Sequence, residues 1–157
     1  MKLSSGWEQA VYVLLILGRL PEQSVIKSNS LAERLSVSPS YLSKIMKSLV
    51  NEGLVKSSLG KKGGFTLAKP LSDISFYDVF LAIEGRGKIF ASQQLLINFL
   101  GTEGNKAKKC SVTEALDNIE STLVTTLSAV HLDKVAQQTS ENYSLKDLDH
   151  WIQEHLS

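Results

Sequence analysis

Cysteine is nearly absent from this chain, with Cys110 the only one among 157 residues. One thiolate per chain does not supply the several that an iron-sulfur cluster takes. The histidines, His131, His150 and His155, show no metal-ligand spacing with it, so no metal site is expected. Long apolar runs are missing too. Ala10 to Leu17 is hydrophobic throughout but too short to span a bilayer; Glu8 precedes it, Arg19 closes it and no small-residue cleavage site follows. A buried helix fits better, and no membrane partner is expected. Catalytic constellations are also lacking: there is no nucleophile-base arrangement, no paired carboxylate site and no phosphate-cradling glycine loop that opens a helix. The glycine-rich stretch Gly60-Lys61-Lys62-Gly63-Gly64 lies between two strand-like runs, which argues against nucleotide binding. An enzyme is not expected.

The net charge, +1, is small, but it hides an asymmetry. Residues 1–70 carry ten Lys or Arg against four Asp or Glu, and the remainder carries seven against twelve. A basic first half suits a polyanion-facing module, and an acidic remainder opposes docking in the wrong orientation. Hydrophobic residues make up 43% of the chain, enough for a real core in one domain plus an appended element.

What is present is concentrated between Ser30 and Ala68. Ser30-Leu31-Ala32-Glu33 has the form of a capping box, with Leu31, Ala32 and Leu35 forming one apolar face. Ser38-Pro39-Ser40-Tyr41 offers a second start, with Ser38 as N-cap and Pro39 at the first helical position, where its missing amide costs nothing. This helix is expected to run to about Asn51, with Gly53 ending it. Leu42, Ile45, Met46 and Leu49 recur at helical spacing and face inward, leaving Ser40, Tyr41, Ser43, Lys44 and Lys47 outside. Such a pair of helices is a helix-turn-helix whose second member offers polar side chains to base edges and lysines to phosphates. The plainer reading is a solvated face on an ordinary helix pair.

The next segment favours the first reading. Leu54 to Leu59 and Phe65 to Ala68 are β-compatible runs around a turn of three glycines and two lysines. Glycine lets backbone approach a partner closely, and Lys61 and Lys62 supply charge at the tip, as a phosphate backbone or minor groove requires. A surface hairpin with incidental lysines is the alternative for this loop taken alone. Together the elements describe a basic winged helix-turn-helix that binds DNA.

The chain resembles the Rrf-two family of bacterial winged-helix regulators. The matching residues are Met1-Lys2-Leu3-Ser4, Leu31-Ala32-Glu33-Arg34-Leu35, Ser40-Tyr41-Leu42, Leu49 to Val55, Gly60 to Ala68, and Asp78 to Gly85, a match reaching from Met1 to about Leu132. The resemblance implies a homodimer, most readily a repressor, that binds a two-fold-symmetric double-stranded operator with paired recognition helices and wings. It also implies a long dimerisation helix near the C-terminus. With a genomic target and no export signal, a cytoplasmic location is expected. Cluster-holding members place three cysteines in the loop before that helix; Cys110 matches the last and the first two are missing. Ser43 stands where the family often has an acidic residue, so operator sequence does not carry over.

The expected organisation is therefore mainly α with a small β-hairpin wing. A winged helix-turn-helix domain occupies 1–85, a sensory or linker loop 86–110, a dimerisation helix 111–136 and a helical extension 137–157. Ser75-Phe76-Tyr77-Asp78 opens another helix, with Phe76, Val79, Phe80 and Ile83 facing inward. Val112, Leu116, Ile119, Leu123, Leu127 and Val130 recur three or four residues apart, a stripe suited to a symmetric dimer seam or to packing on its own domain. Past Gln137 a polar stretch leads to a last amphipathic helix whose Leu145, Leu148, Trp151 and Ile152 dock on the body. Ser4, Ser5 and Trp7 precede the first helix, where they touch phosphate or, for Trp7, pack in the core.

The DNA-contacting set is Ser38, Ser40, Tyr41, Ser43, Lys44 and Lys47 from the recognition helix and Lys61, Lys62, Gly63 and Gly64 from the wing. Cys110 has two readings: a redox or thiol-reactive switch activated by Lys106, Lys108 and Lys109, or a packed residue at the start of the dimer helix. No cofactor is expected. The effector is open among a thiol oxidant, a small metabolite and a partner protein. A winged-helix module that binds protein instead of DNA is the competing function, and it would show no salt-dependent operator binding.

Overall fold

The computed structural model describes residues 4–102 and 110–157. They fall into two compact units, one made of residues 4–85 with 128–157 and the other of residues 86–102 with 110–127.

The first unit is built around α1 (Ser5–Leu17), in which Ala10, Val13 and Leu14 are fully buried and Val11, Ile16 and Leu17 nearly so. A helix apolar on almost every side must be covered on almost every side. The covering elements are α3 (Pro39–Asn51), α4 (Phe76–Glu84), α7 (Leu132–Asn142) and strand β2 (Gly64–Leu67). Ser5 and Trp7, expected ahead of the helix, lie inside its first turn. Trp7 packs edge-on against Phe76, ring centroids 4.8 Å apart, so it is a core residue.

Helix α2 (Ser28–Leu35) begins two residues earlier than the Ser30 capping box implies, and Lys27 holds the N-cap position with no side-chain cap bond. The reason is tertiary. Ile26 is pinned in an antiparallel bridge to Phe65, its N–H donating to the Phe65 carbonyl at 3.1 Å and its carbonyl accepting from Phe65 N–H at 2.9 Å. The chain then turns directly into helix, with Leu31 N–H donating to the Lys27 carbonyl.

Local signals decide α3 and α4. Pro39 opens α3, the Ser38 hydroxyl accepts the Tyr41 N–H, and the helix ends at Asn51 ahead of Gly53 at φ +73°. Ser75 and Asp78 form a complete capping box on α4, with Ser75 N–H donating to Asp78 Oδ2 at 2.7 Å and Asp78 N–H donating to Ser75 Oγ at 3.2 Å. Strand β1 (Val55–Ser58) pairs antiparallel with β2 in the register Val55 with Leu67 through Ser58 with Gly64. A single 3-10 turn, Leu71–Asp73, leads from this wing to α4.

The long dimerisation helix expected over 111–136 is two helices, α6 (Ser111–Ala129) and α7. The break at Val130–His131 has a hydrogen-bonding cause: Phe76 N–H donates to the Val130 carbonyl at 2.8 Å and Leu132 N–H to the Ile74 carbonyl at 2.9 Å. His131 is thereby extended, bridged to Ser75. The polar stretch past Gln137 is helical at its start, since α7 continues to Asn142.

Helix α8 (Lys146–His155) docks through Ile152, which is buried, with Leu148 and Trp151 packed against the core; Leu145 stands at its start. Burying an isoleucine contributes about 1.5–3 kcal/mol. Arg19 grips Asp149 through two 2.7 Å bonds, Arg34 pairs with Asp147 at 2.7 Å, and the Arg34 guanidinium lies 5.5 Å from the Trp151 ring centre. Leu156 then bridges Ile26.

In the second unit, α5 (Leu96–Leu100) and most of α6 have no buried residue among those described. Lys88 is paired with Asp117 at 3.0 Å, and that carboxylate raises the Lys88 pKa.

Candidate nucleic-acid interface

Helix α3 presents two faces set by its sequence. Leu42, Ile45, Met46 and Leu49 are buried, while Ser40, Ser43, Lys44 and Lys47 are exposed on the opposite side. Ser38 is exposed as well, but its hydroxyl is engaged, capping Tyr41 N–H and standing 3.0 Å from the Ser40 hydroxyl. Tyr41 is 36% exposed. Its phenol rests on α1 at Gly6, where a Cβ would come within 2.8 Å of Tyr41 Oη. That contact fixes the first turn of α3 against α1, and nothing in the local sequence of either helix reveals it.

The wing is held by its own small residues. The Ser58 hydroxyl accepts Gly64 N–H at 3.2 Å and donates to the Gly64 carbonyl at 3.4 Å, and Gly63 N–H closes the turn onto the Gly60 carbonyl at 2.9 Å. Gly60 has φ +100°, a conformation side chains rarely adopt. Lys61 and Lys62 are exposed at this tip, and Lys56 is exposed along β1.

Gly63 and Gly64, expected among the DNA-contacting residues, are placed otherwise, since both are buried. A Cβ on Gly64 would stand 2.7 Å from the Ile26 carbonyl oxygen, and one on Gly63 would collide with the Ser58 carbonyl. Glycine serves there to let strands and turn pack closely, so these two residues shape the wing instead of presenting a surface. Ser4 is likewise committed within the protein, with its N–H and hydroxyl both donating to Glu84 Oε1 at 3.0 and 2.7 Å.

Cys110 lies in the second unit at the N-terminus of α6, where its carbonyl accepts Glu114 N–H at 2.9 Å. Its thiol pKa is lowered, first by a hydrogen bond from the Thr113 side chain, then by the Thr113 amide and less by the Val112 amide, with desolvation and, more weakly, the Glu114 charge opposing. Together with Phe90, Leu95, Leu96, Phe99 and Val112 it lines an apolar cleft of about 610 Å³. Lys106, Lys108 and Lys109, expected to activate the thiol, lie outside the described residues.

Comparison with known proteins agrees with this architecture. The family model described as Rrf2, iron-dependent transcriptional regulator, matches residues 3–138. The chain is 67% identical over 154 residues to YffB of Lactococcus lactis subsp. lactis (strain IL1403), a protein named as an HTH-type transcriptional regulator; the match covers 98% of this chain and 99% of YffB. It is 43% identical over 152 residues to the similarly named YwgB of Bacillus subtilis (strain 168), covering 97% and 95%. Among solved structures, CymR of B. subtilis, the global cysteine regulator, matches with a TM-score of 0.67 at 21% identity, covering 88% of this chain and 98% of CymR. IscR of T. potens matches with a TM-score of 0.66 at 22% identity, covering 90% of each.

The iron in the family description finds no fitting ligand set among the described residues. Cys110 is the one cysteine, and no group of three His, Cys, Asp or Glu side chains comes together among the described residues. Among those residues no helix is long and apolar enough to cross a membrane. The chain belongs to the Rrf2 family: it is a winged helix-turn-helix, DNA-binding transcriptional regulator, not an enzyme.

Proposed function

We propose that the chain acts in the cytoplasm as a homodimeric repressor on a two-fold-symmetric operator, with α3 in the major groove and the wing on the flanking backbone or minor groove. The carrying observation is the exposed polar and basic face of α3, with Ser40, Ser43, Lys44 and Lys47, in the same compact unit as the exposed wing lysines Lys61 and Lys62. The dimer seam runs along α6 through Val112, Leu116, Ile119, Leu123 and Leu127 and continues to Val130. Val112 and Ile119 are 66% and 64% exposed in the single chain, which a second copy would cover. Cys110 at the edge of the second unit's apolar cleft is the point at which an oxidant or a small metabolite would act; a partner protein is the remaining effector class.

The experiment is a salt titration of binding to a duplex selected from a random library, beside unrelated DNA, with and without reductant. Selective binding that weakens steeply with salt is the expected result. Replacing Lys61 and Lys62 with Ala weakens binding to every sequence and lowers the slope by about one unit for each phosphate no longer neutralised. An unchanged slope refutes the wing assignment, and no preference over unrelated DNA makes protein binding the better reading.

A further inference from the structure

Among the described residues, the large apolar side chains exposed on the first unit are Tyr12, Tyr41, Tyr143 and Leu59. Three carry a hydroxyl; Leu59 is purely aliphatic and 98% exposed. Every other exposed large hydrophobic, from Ile89 to Ile119, belongs to the second unit. A single leucine on a surface is common and means little in isolation. Its position gives it meaning. Leu59 immediately follows β1 and precedes Gly60-Lys61-Lys62, at the tip of the wing.

The tip is held in place on both sides of this residue. Before it, the Ser58 hydroxyl is closed onto Gly64; after it, the Gly60 carbonyl receives Gly63 N–H. An aliphatic side chain is therefore presented on an ordered turn beside two exposed lysines. A two-stranded tip with small flanking residues suits the minor groove, about 6 Å wide. There the lysines reach the phosphates of the groove walls, and an isobutyl group meets the sugar edges and the groove floor. Leucine offers neither donor nor acceptor. Over a G·C pair it would cover the guanine 2-amino group, leaving a donor without a partner, whereas an A·T pair has no such group to desolvate.

We propose that Leu59 is a specificity-determining residue for DNA binding, seated in the minor groove beneath the wing and selecting A·T over G·C pairs there. The inference rests on the regulator reading above, and its test separates the two. Wild-type protein is titrated with its library-selected duplex and with versions in which the pairs beneath the wing are A·T, G·C or inosine·cytosine. Inosine·cytosine keeps the guanine major-groove acceptors but lacks the 2-amino group.

The expected result is a loss of about five- to twentyfold for G·C and recovery with inosine·cytosine. Leu59→Ala weakens A·T binding about three- to tenfold, removes the A·T preference and leaves the salt slope as in wild type. Because the side chain is 98% exposed, this variant keeps the fold, and its melting curve checks that. A Leu59→Ala protein that retains both affinity and base preference overturns the inference while leaving the regulator reading intact. A wild-type protein that binds no duplex above unrelated DNA overturns both.

Discussion

Replacing Gly64 with Ala tests how the wing is fastened to the body. The added methyl would stand 2.7 Å from the Ile26 carbonyl oxygen, 2.9 Å from the carbonyl carbon and 3.1 Å from the nitrogen. All three are backbone atoms, so no side chain can swing away to make room. Relief requires moving the Ile26 segment, which is tied to Phe65 by hydrogen bonds of 3.1 and 2.9 Å. Overpacking of this kind, with two stretched backbone bonds, costs about 2–3 kcal/mol. For a urea slope of about 1–3 kcal/mol/M the unfolding midpoint falls by about 0.7–3 M. Gly87→Ala is the control, since a Cβ there meets nothing within 4 Å and its midpoint stays within error of wild type. The assay is urea unfolding followed by circular dichroism and tryptophan fluorescence. If Gly64→Ala and Gly87→Ala unfold at the same concentration, the close approach of β2 to Ile26 is not what requires glycine.

Two further outcomes follow from hydrogen bonds that perturb titration. Thr113→Val removes the leading cause of the lowered Cys110 pKa, so the thiol pKa rises toward its ordinary value. Alkylation by iodoacetamide at neutral pH slows, and the pH of half-maximal rate moves upward; an unchanged pH profile refutes the role given to Thr113. The Asp149 carboxyl is held below its ordinary value, first by the hydrogen bond from Arg19. A depressed carboxylate stabilises the fold above the unfolded pKa and loses that contribution as pH falls through the folded one. Asp149→Asn therefore lowers stability at neutral pH by about 0.2–1 kcal/mol, the range for a half-exposed pair. The two proteins converge in strong acid, and a gap that persists there contradicts the ion-pair account.

Features governed by neighbours in sequence were legible from the residues alone. Ser38-Pro39 marks the start of α3 because capping and the missing proline amide are local, and Ser75 with Asp78 marks α4 for the same reason. The wing showed through its β-compatible runs and glycines. Features governed by distant partners were not. Ser30 and Glu33 satisfy the capping-box pattern, yet α2 starts at Ser28 because Ile26 is held by a residue 39 positions away. The apolar stripe reaches Val130 and the expected helix runs on to residue 136, yet the helix breaks at Val130 because Phe76 and Ile74 take up the backbone groups of Val130 and Leu132. In the candidate interface the exposure of Ser40, Ser43, Lys44 and Lys47 was readable from helical period. Burial of Gly63 and Gly64 was not, since a glycine in a turn reads alike whether it faces a ligand or its own backbone.

Ile26 joins these observations into one mechanical argument. Its backbone bridges Phe65 of the wing and Leu156 beyond α8, and the residue after it is the N-cap position of α2. Helix α2 packs on α3, so recognition helix and wing are referred to a common strut. The extended strip of Ser57, Phe65, Ile26 and Leu156 gives the wing pairing partners beyond its own two strands, whose isolated hairpin would be marginal in water. Two ion pairs tie α8 to the body beside this strip, from Asp149 to Arg19 and from Asp147 to Arg34 on α2 itself. Each exposed pair contributes little alone. Together with buried Ile152 they hold α8 on the body and Leu156 beside Ile26, so the strip that pairs with the wing is braced from the last helix of the fold.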